Sequence, residues 1–319
     1  MALDWETFAE RFHTIEANVE KVVQGKHREI RLAVAALVAE GHILIEDVPG
    51  VGKTMLAKAL ARSIDCSFRR IQFTPDLLPT DVTGVNVFNQ ERGDFEFKPG
   101  AIFANIVLGD EINRASPKTQ SALLESMEER QVTIDTETYQ LGVPFMVIAT
   151  QNPIEHEGTY PLPEAQLDRF MMRLGIGYPT VEVEAEILAT HGVRSTLPDI
   201  HAVTDALAMR AMIERAREVH VSSDVRGYIV ALVEATRRHP DLYLGASPRA
   251  SIMLLRAARA MAAAEGRDYV IPDDVKGLAL PVLSHRIIVT ADAVMGGKTS
   301  SMVLQELLAD IPVPVAGTA

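Results

Sequence analysis

A glycine-rich turn between a β-branched run and a helix-like segment constrains this sequence more than any other feature. Residues 43–54 read ILIEDVPGVGKT. In a loop of this kind, backbone N–H groups and the N-terminus of the next helix surround a polyphosphate, the lysine contacts its β and γ oxygens, and the threonine hydroxyl binds Mg²⁺. The predicted nucleotide contacts are Pro49, Gly50, Val51, Gly52, Lys53, Thr54 and Met55.

One position departs from the usual G-x-x-x-x-G-K-[ST] pattern, because Asp47 stands where the first glycine is normally found. The alternative is a glycine-rich loop that only connects a strand to a helix, but such a loop would not explain the presence of Lys53 and Thr54. A carboxylate facing the bound phosphates would repel them, so we expect Asp47 to point away from the ligand.

A second segment, Ile106 to Glu111, is an apolar run that ends in two acids. Alone, it is more often an ordinary end of a strand, but a phosphate loop upstream favours catalysis. Asp110 is then expected to hold Mg²⁺ through water and Thr54, and Glu111 to orient or deprotonate the water that attacks the γ-phosphate.

Length and composition favour a two-domain enzyme without membrane insertion. The chain has 319 residues, of which 47% are hydrophobic, and its first twenty residues are interrupted by acids rather than forming a signal segment. We therefore expect a cytoplasmic protein. The single cysteine, Cys66, excludes an intramolecular disulfide, and a net charge of −12 makes nucleic acid an unfavourable partner.

Short apolar strands alternate with helical segments in the first half, which predicts a parallel sheet flanked by helices. The predicted strands are 43–45, 68–73, 106–109, 145–150 and 172–176, and the predicted helices are 8–23, 27–40, 53–62 and 117–128. Two insertions interrupt this order: 76–105, predicted as loops with a hairpin and a short helix, and 131–141, predicted as a hairpin.

The composition changes after residue 180 to Ala, Glu, Arg and Leu at helical spacing. We therefore predict a nucleotide-binding core over 1–180 and an all-helical domain over 181–319. Its predicted helices include 205–219, 225–238, 248–265 and 272–284.

Three further polar residues are candidates for the site. Asn152 follows an apolar strand and could hold the attacking water, although Asn-Pro is also a common turn. Arg169 ends a short helical segment, where a surface salt bridge with Asp168 is the simpler interpretation. Arg249 lies in the first turn of a predicted helix, where its charge opposes the helix dipole and suggests a nearby anion such as phosphate.

In order and spacing, these motifs resemble the AAA+ ATPases and, within them, the MoxR family. The resemblance covers residues 22–286 and is carried by EDVPGVGKT, DEINRASPKTQSALLESMEERQVT, ATQNPIEHEGTYPLPEAQLDRF and GASPRA. It implies an α/β AAA+ P-loop NTPase core whose two insertions are a helix-2 insert and a pre-sensor-1 hairpin facing the pore of a ring. A C-terminal all-α lid domain would follow.

The resemblance also implies roles for single residues. Asp110 and Glu111 would be the magnesium-side acid and the catalytic base. Asn152 would be the first sensor, Arg249 the second, and Arg169 the arginine finger that completes the site of a neighbouring subunit, with Arg114 and Arg173 as rivals. Val23 and Gly25 would lie beside the adenine, which favours ATP.

Several functions remain open at this point. The leading hypothesis is a ring ATPase, with a hexamer expected, that remodels or activates a protein client such as a von Willebrand factor A domain protein. The alternatives are a magnesium-chelatase ATPase subunit, a DNA-directed motor, and a scaffold that binds ATP without hydrolysing it.

Overall fold

A computed structural model describes residues 3–153, 158–191 and 197–314 of the chain. Residues 154–157, which belong to the motif that ends at Phe170, lie outside this part. In the described part, the helices are α1 Trp5–Glu20, α2 His27–Val38, α3 Lys53–Ser63, α4 Pro79–Thr83, α5 Pro117–Glu129, α6 Glu164–Leu167, α7 Val181–His191, α8 Ala206–Arg217, α9 Ser223–Arg238, α10 Pro248–Ala264, α11 Pro272–Leu283, α12 Ala291–Met295 and α13 Ser300–Asp310.

The strands alternate with these helices in the first half of the chain. They are β1 Ile43–Glu46, β2 Phe68–Gln72, β3 Gly84–Asn89, β4 Asp94–Pro99, β5 Ile106–Asp110, β6 Gln131–Ile134, β7 Glu137–Gln140, β8 Met146–Gln151, β9 Met172–Leu174, β10 Leu242–Leu244 and β11 Ile288–Val289. Short 3₁₀ turns cover Ile112–Arg114 and Leu197–Asp199.

The central sheet has five parallel strands in the order β2-β5-β8-β1-β9. The three inner strands are buried almost from end to end, as expected for a sheet that is covered on both faces. In the register of the sheet, Gln72 of β2 lies opposite Asp110 of β5, and Glu46 of β1 lies opposite Gln151 of β8. The polar ends of the strands therefore meet at one edge, which confirms the predicted parallel sheet.

Both predicted insertions are present. The first contains α4 and the antiparallel hairpin β3–β4, and the second is the hairpin β6–β7. They contact each other, since Asn86 donates a hydrogen bond of 2.7 Å to Asp135 and the rings of Phe97 and Tyr139 stack with centroids 4.0 Å apart. The two hairpins thus form one surface.

The described residues of the second half are mainly helical, but they include a strand pair that the sequence analysis does not predict. Strands β10 and β11 form a short antiparallel pair, with Leu242 opposite Val289. They span three and two residues and lie far apart in sequence, so they are too short to show the alternation of apolar and polar residues that predicts a strand. The expectation of a purely helical segment is therefore corrected here.

The N-terminal helices pack against the C-terminal half. Helices α1 and α2 contact α10, and their buried side chains join those of α10 in one apolar cluster. Helix α10 carries several small buried residues, such as Ala257 and Ala258, and small side chains allow close approach of neighbouring helices. The boundary near residue 180 stays a prediction, because both halves share this core.

Candidate functional site

The phosphate loop connects β1 to α3 and depends on two glycines. Gly50 and Gly52 have φ angles of +87° and +98°, in the left-handed region that strains other residues. A Cβ added at either position would meet no described atom within 4 Å, so the loop borders open space. Because Gly52 directly precedes α3, the free N–H groups of the helix start face this space.

A cavity of about 390 Å³ lies above the loop. Among the predicted site residues, its lining includes Pro49, Gly50, Gly52, Lys53, Thr54, Met55, Asp110, Glu111 and Asn152. Three residues that the sequence analysis does not single out also line it: Arg70, Thr150 and Gln151. The structure therefore assembles the predicted loop, both acids and the amide in one polar site, which we call the P-loop cavity.

Three predicted contacts are not among the described lining residues of the P-loop cavity. Val23 is buried in the apolar core, and Val51 packs partly buried against the same core. A Cβ on Gly25 would lie 2.9 Å from a methyl group of Val183 at the start of α7, which explains why only glycine fits there. The adenine-side role of Val23 and Gly25 stays a prediction.

Lys53 is held between two backbone carbonyls. Its ammonium donates hydrogen bonds to the carbonyl oxygens of Asp47 and Gln151, the second at 3.3 Å. Partial burial lowers the pKa of Lys53, while the carboxylates of Asp47, Asp110 and Glu111 act in the opposite direction. The lysine therefore stands in the cavity wall under the influence of three carboxylates.

Asp47 is not among the described lining residues of the P-loop cavity, and its expected orientation away from the ligand stays a prediction. Its carboxylate accepts hydrogen bonds from the backbone N–H of Val48 at 2.8 Å and of Gly177 at 2.5 Å. Asp47 thus joins the phosphate loop to the segment that follows β9.

Replacing Asp47 by glycine should change ATP affinity by less than about threefold, because backbone N–H groups of Val48 and Gly177 already bind the two carboxylate oxygens. Titration with a fluorescent ATP analogue measures this, and Asp47→Asn, which removes only the charge, is the matched control. A tenfold gain in affinity, about 1.4 kcal/mol, would place the carboxylate against the phosphates instead.

Asp110 accepts hydrogen bonds on both carboxylate oxygens. The Thr150 hydroxyl donates to Oδ1 at 2.6 Å, and Arg70 donates to Oδ2 through Nη2 at 2.6 Å and through Nε at 3.0 Å. Thr150 also accepts a hydrogen bond from the backbone N–H of Glu111 at 2.9 Å. The end of β8 therefore fixes both acids at the end of β5.

Glu111 directly follows β5 and adopts a left-handed conformation with φ +57°. Its Oε2 accepts hydrogen bonds from Gln72 at 2.8 Å and from Arg114 at 3.0 Å. The rival finger Arg114 is thus bound to the acid of its own site. Asn152, only 8% exposed, stands in the wall of the same cavity.

Arg169 and Arg249 line a second cavity of about 370 Å³, which shares no described lining residue with the P-loop cavity. Both arginines bind one carboxylate: Arg169 Nε lies 3.0 Å from Glu128 Oε2, and Arg249 contacts Oε1. The position of Arg249 suggested a nearby anion, and within the chain this anion is the carboxylate of Glu128. The other rival finger, Arg173, pairs with Glu46 at 3.0 Å.

The second cavity is strongly cationic. Its lining contains five arginines but only two glutamates: Arg130, Arg169, Arg217, Arg249 and Arg256 against Glu40 and Glu128. Glu40 binds both Arg130 and Arg217. The described surface between the sheet and α10 therefore carries excess positive charge suited to an anion.

A buried ion pair fixes the position of Arg169 relative to α10. Arg286, whose side chain is 1% exposed, donates from Nε to Asp168 Oδ1 at 2.8 Å. Ser247, which precedes α10, donates to the other oxygen of Asp168 at 2.8 Å. Burial lowers the pKa of Arg286 to about 10, and Asp168 opposes this shift. Asp168 therefore pairs with Arg286, and the suggested Asp168–Arg169 salt bridge is wrong.

Known proteins share this architecture over almost the whole chain. Residues 42–172 match the ATPase family associated with various cellular activities (AAA), and residues 234–307 match the AAA lid domain. The chaperone MoxR1 of Mycobacterium tuberculosis is 41% identical over 97% of this chain and 85% of its own length. The chain belongs to the MoxR family of AAA+ ATPases.

Two further comparisons agree with this assignment. The uncharacterized protein YeaC of Bacillus subtilis is 49% identical over 95% of this chain and 94% of its own. The crystal structure of a candidate ATPase from Cytophaga hutchinsonii superposes with a TM-score of 0.91 at 40% identity, over 98% of this chain and 97% of that one. Within the described residues, every helix is too short or too polar to span a bilayer.

In this MoxR-family chain, sequence reasoning missed Arg70, Gln72 and Thr150, although all three contact the two acids. Thr150 could have been found, because it lies near the end of the strand that precedes the candidate Asn152. No sequence pattern indicated Arg70 and Gln72, since β2 contributes to the site only because it pairs with β5.

Proposed function

We propose that this chain binds ATP with Mg²⁺ and hydrolyses it in a ring-shaped homo-oligomer, with a hexamer expected, to remodel or activate a protein partner. The observation that carries this proposal is the position of Arg169 and Arg249. Both guanidinium groups line a cavity separate from the P-loop cavity of their own chain. A nucleotide would meet both sets of residues only at a contact between two copies.

The P-loop cavity suits a magnesium-bound triphosphate. The Thr54 hydroxyl and the Asp110 carboxylate are the hard oxygen donors that Mg²⁺ prefers, and both line this cavity. When bound there, Mg²⁺ would neutralise charge on the β- and γ-phosphates. Lys53 and the N–H groups at the start of α3 would bind the same oxygens, which fixes the triphosphate in the cavity.

Glu111 would orient and deprotonate the attacking water. Gln72 and Arg114 donate to one of its oxygens, Oε2, and so hold the carboxylate at the cavity wall. Asn152 lies in the same wall and would orient the water through its amide. Deprotonation then increases the nucleophilicity of the water towards the γ-phosphorus.

The second cavity would supply charge to the site of a neighbouring subunit. Arg169 and Arg249 each bind one carboxylate oxygen of Glu128. Two guanidinium groups that share one anion in this way are also suited to bind the oxygens of one phosphate. In the ring, the γ-phosphate of the neighbour would replace this carboxylate. The contacts of Asp168 with Arg286 and Ser247 would hold both arginines in a fixed relation.

The insertion hairpin β3–β4 supports a protein partner. Phe88 and Phe95 lie opposite each other in register, are 52% and 70% exposed, and contact each other with ring centroids 5.3 Å apart. Exposed aromatic pairs of this kind are typical of protein contact surfaces. The client, for example a von Willebrand factor A domain protein, would contact this hairpin.

Turnover per chain should rise with protein concentration, because each P-loop cavity lacks the arginines that a second copy provides. Phosphate release, measured across concentrations at which sedimentation shows monomer and assembly, tests this. Lys53→Ala protein gives the background rate. Equal turnover per chain in monomer and assembly would contradict the ring proposal.

A further inference from the structure

Arg70 contacts the acid that is expected to hold magnesium. A carboxylate offers about four lone-pair positions. In Asp110, the Thr150 hydroxyl takes one position on Oδ1, and Arg70 takes both on Oδ2 through Nη2 and Nε. One position on Oδ1 is left for a further ligand or its water.

The guanidinium also carries charge into the P-loop cavity. Arg70 is one of the lining residues, and its side chain is 48% exposed while that of Asp110 is 14% exposed. A divalent cation bound beside Asp110 would lie within a few ångströms of this positive group, and like charges at that distance repel. Mg²⁺ also needs near-octahedral geometry, which a crowded carboxylate restricts.

We propose that Arg70 competes with Mg²⁺ for Asp110 and so sets the magnesium concentration at which the protein takes up a nucleoside triphosphate. Arg70 is a positioning residue in this scheme, since it acts through Asp110. The inference rests on the proposed binding of Mg²⁺ and ATP in the P-loop cavity.

The same contact reaches the catalytic base. Arg70 Nη2 donates to Gln72 Oε1 at 2.5 Å, and Gln72 Nε2 donates to Glu111 Oε2 at 2.8 Å. Displacement of Arg70 from Asp110 would therefore release one of the contacts that hold Gln72. Arrival of the metal at Asp110 would thereby be transmitted to Glu111 through the two side chains between them, Arg70 and Gln72.

The test is a titration of free Mg²⁺ at a fixed, subsaturating concentration of a fluorescent, non-hydrolysable ATP analogue. Arg70→Ala and Arg70→Gln both remove the competing charge, so the half-saturating magnesium concentration should fall by roughly threefold to tenfold. Arg70→Lys keeps the charge and should stay near the wild type. Arg69→Ala, on the opposite face of the same strand, is the matched control and should also stay near the wild type.

Melting temperatures establish that each variant is folded, which is expected because Arg70 is half exposed on the edge strand of the sheet. An unchanged or higher magnesium requirement in folded Arg70→Ala and Arg70→Gln proteins overturns the competition while leaving the proposed function in place. If the wild type itself binds the analogue no better than Lys53→Ala at any magnesium concentration, the proposed function fails, and the competition fails with it.

Discussion

Lys53→Ala is expected to abolish tight ATP binding, whereas Glu111→Gln should bind ATP normally and hydrolyse it slowly. The lysine is the cation of the phosphate loop, and its loss removes the charge-assisted contact that the loop makes with the β- and γ-phosphates, so affinity should fall by roughly a hundredfold or more. Glu111 would act only on the attacking water, so its loss should slow turnover by on the order of a hundredfold to a thousandfold with little change in Kd.

Two assays separate these effects. Equilibrium titration with a fluorescent nucleotide measures binding, and phosphate release measures turnover. Lys58→Ala, in the same helix as Lys53, and Glu125→Gln, on the exposed side of α5, are matched controls that should behave as the wild type. Equal turnover in the wild type and Glu111→Gln would remove the proposed role of Glu111.

The phosphate loop could be predicted because its requirements are local. Gly50 and Gly52 adopt positive φ angles, which few residues other than glycine tolerate, and the helix begins directly after Gly52. The strand before the loop and the strand ending at Asp110 were equally visible as apolar runs. Both strands pair in parallel with β8, which lies between them, and their ends therefore meet at the same edge of the sheet.

The contacts around the acids could not be predicted, because they depend on the order of strands in the sheet. Arg70 and Gln72 reach Asp110 and Glu111 only because β2 lies beside β5. The pairing of Asp168 with Arg286 joins residues 118 positions apart. In both cases the partner is set by tertiary packing, which a single sequence does not reveal.

Arg249 illustrates the limits of a local electrostatic argument. A cation at the start of a helix did indicate a nearby anion, and Glu128 is that anion within the chain. The argument could not say that Arg169 shares the same carboxylate. That shared contact, rather than either arginine alone, is what points to a joint role at a subunit contact.

Mixed rings are expected to regain activity that neither parent has if Arg169 acts in trans. Arg169→Ala subunits keep an intact P-loop cavity but provide no finger, and Glu111→Gln subunits provide the finger but cannot activate water. Where the two meet, one cavity would be complete. In an equal and random mixture, about a quarter of all sites should be active, with a matching share of the wild-type rate of phosphate release.

This experiment depends on exchange of subunits, which size-exclusion chromatography of differently labelled parents establishes first. Arg210→Ala is the control substitution, since it removes an exposed arginine from a surface ion pair with Glu214 and should leave turnover unchanged. If subunits exchange and the mixture stays as inactive as its parents, Arg169 is not a trans-acting finger.

Arg173 and Arg114 then become the candidates for the same assay, although Arg114 already binds Glu111 within its own chain. Failure of all three and of Arg249, which lines the same cavity as Arg169, would contradict catalysis at subunit contacts, because no arginine that the sequence suggests would then complete the site of a neighbour.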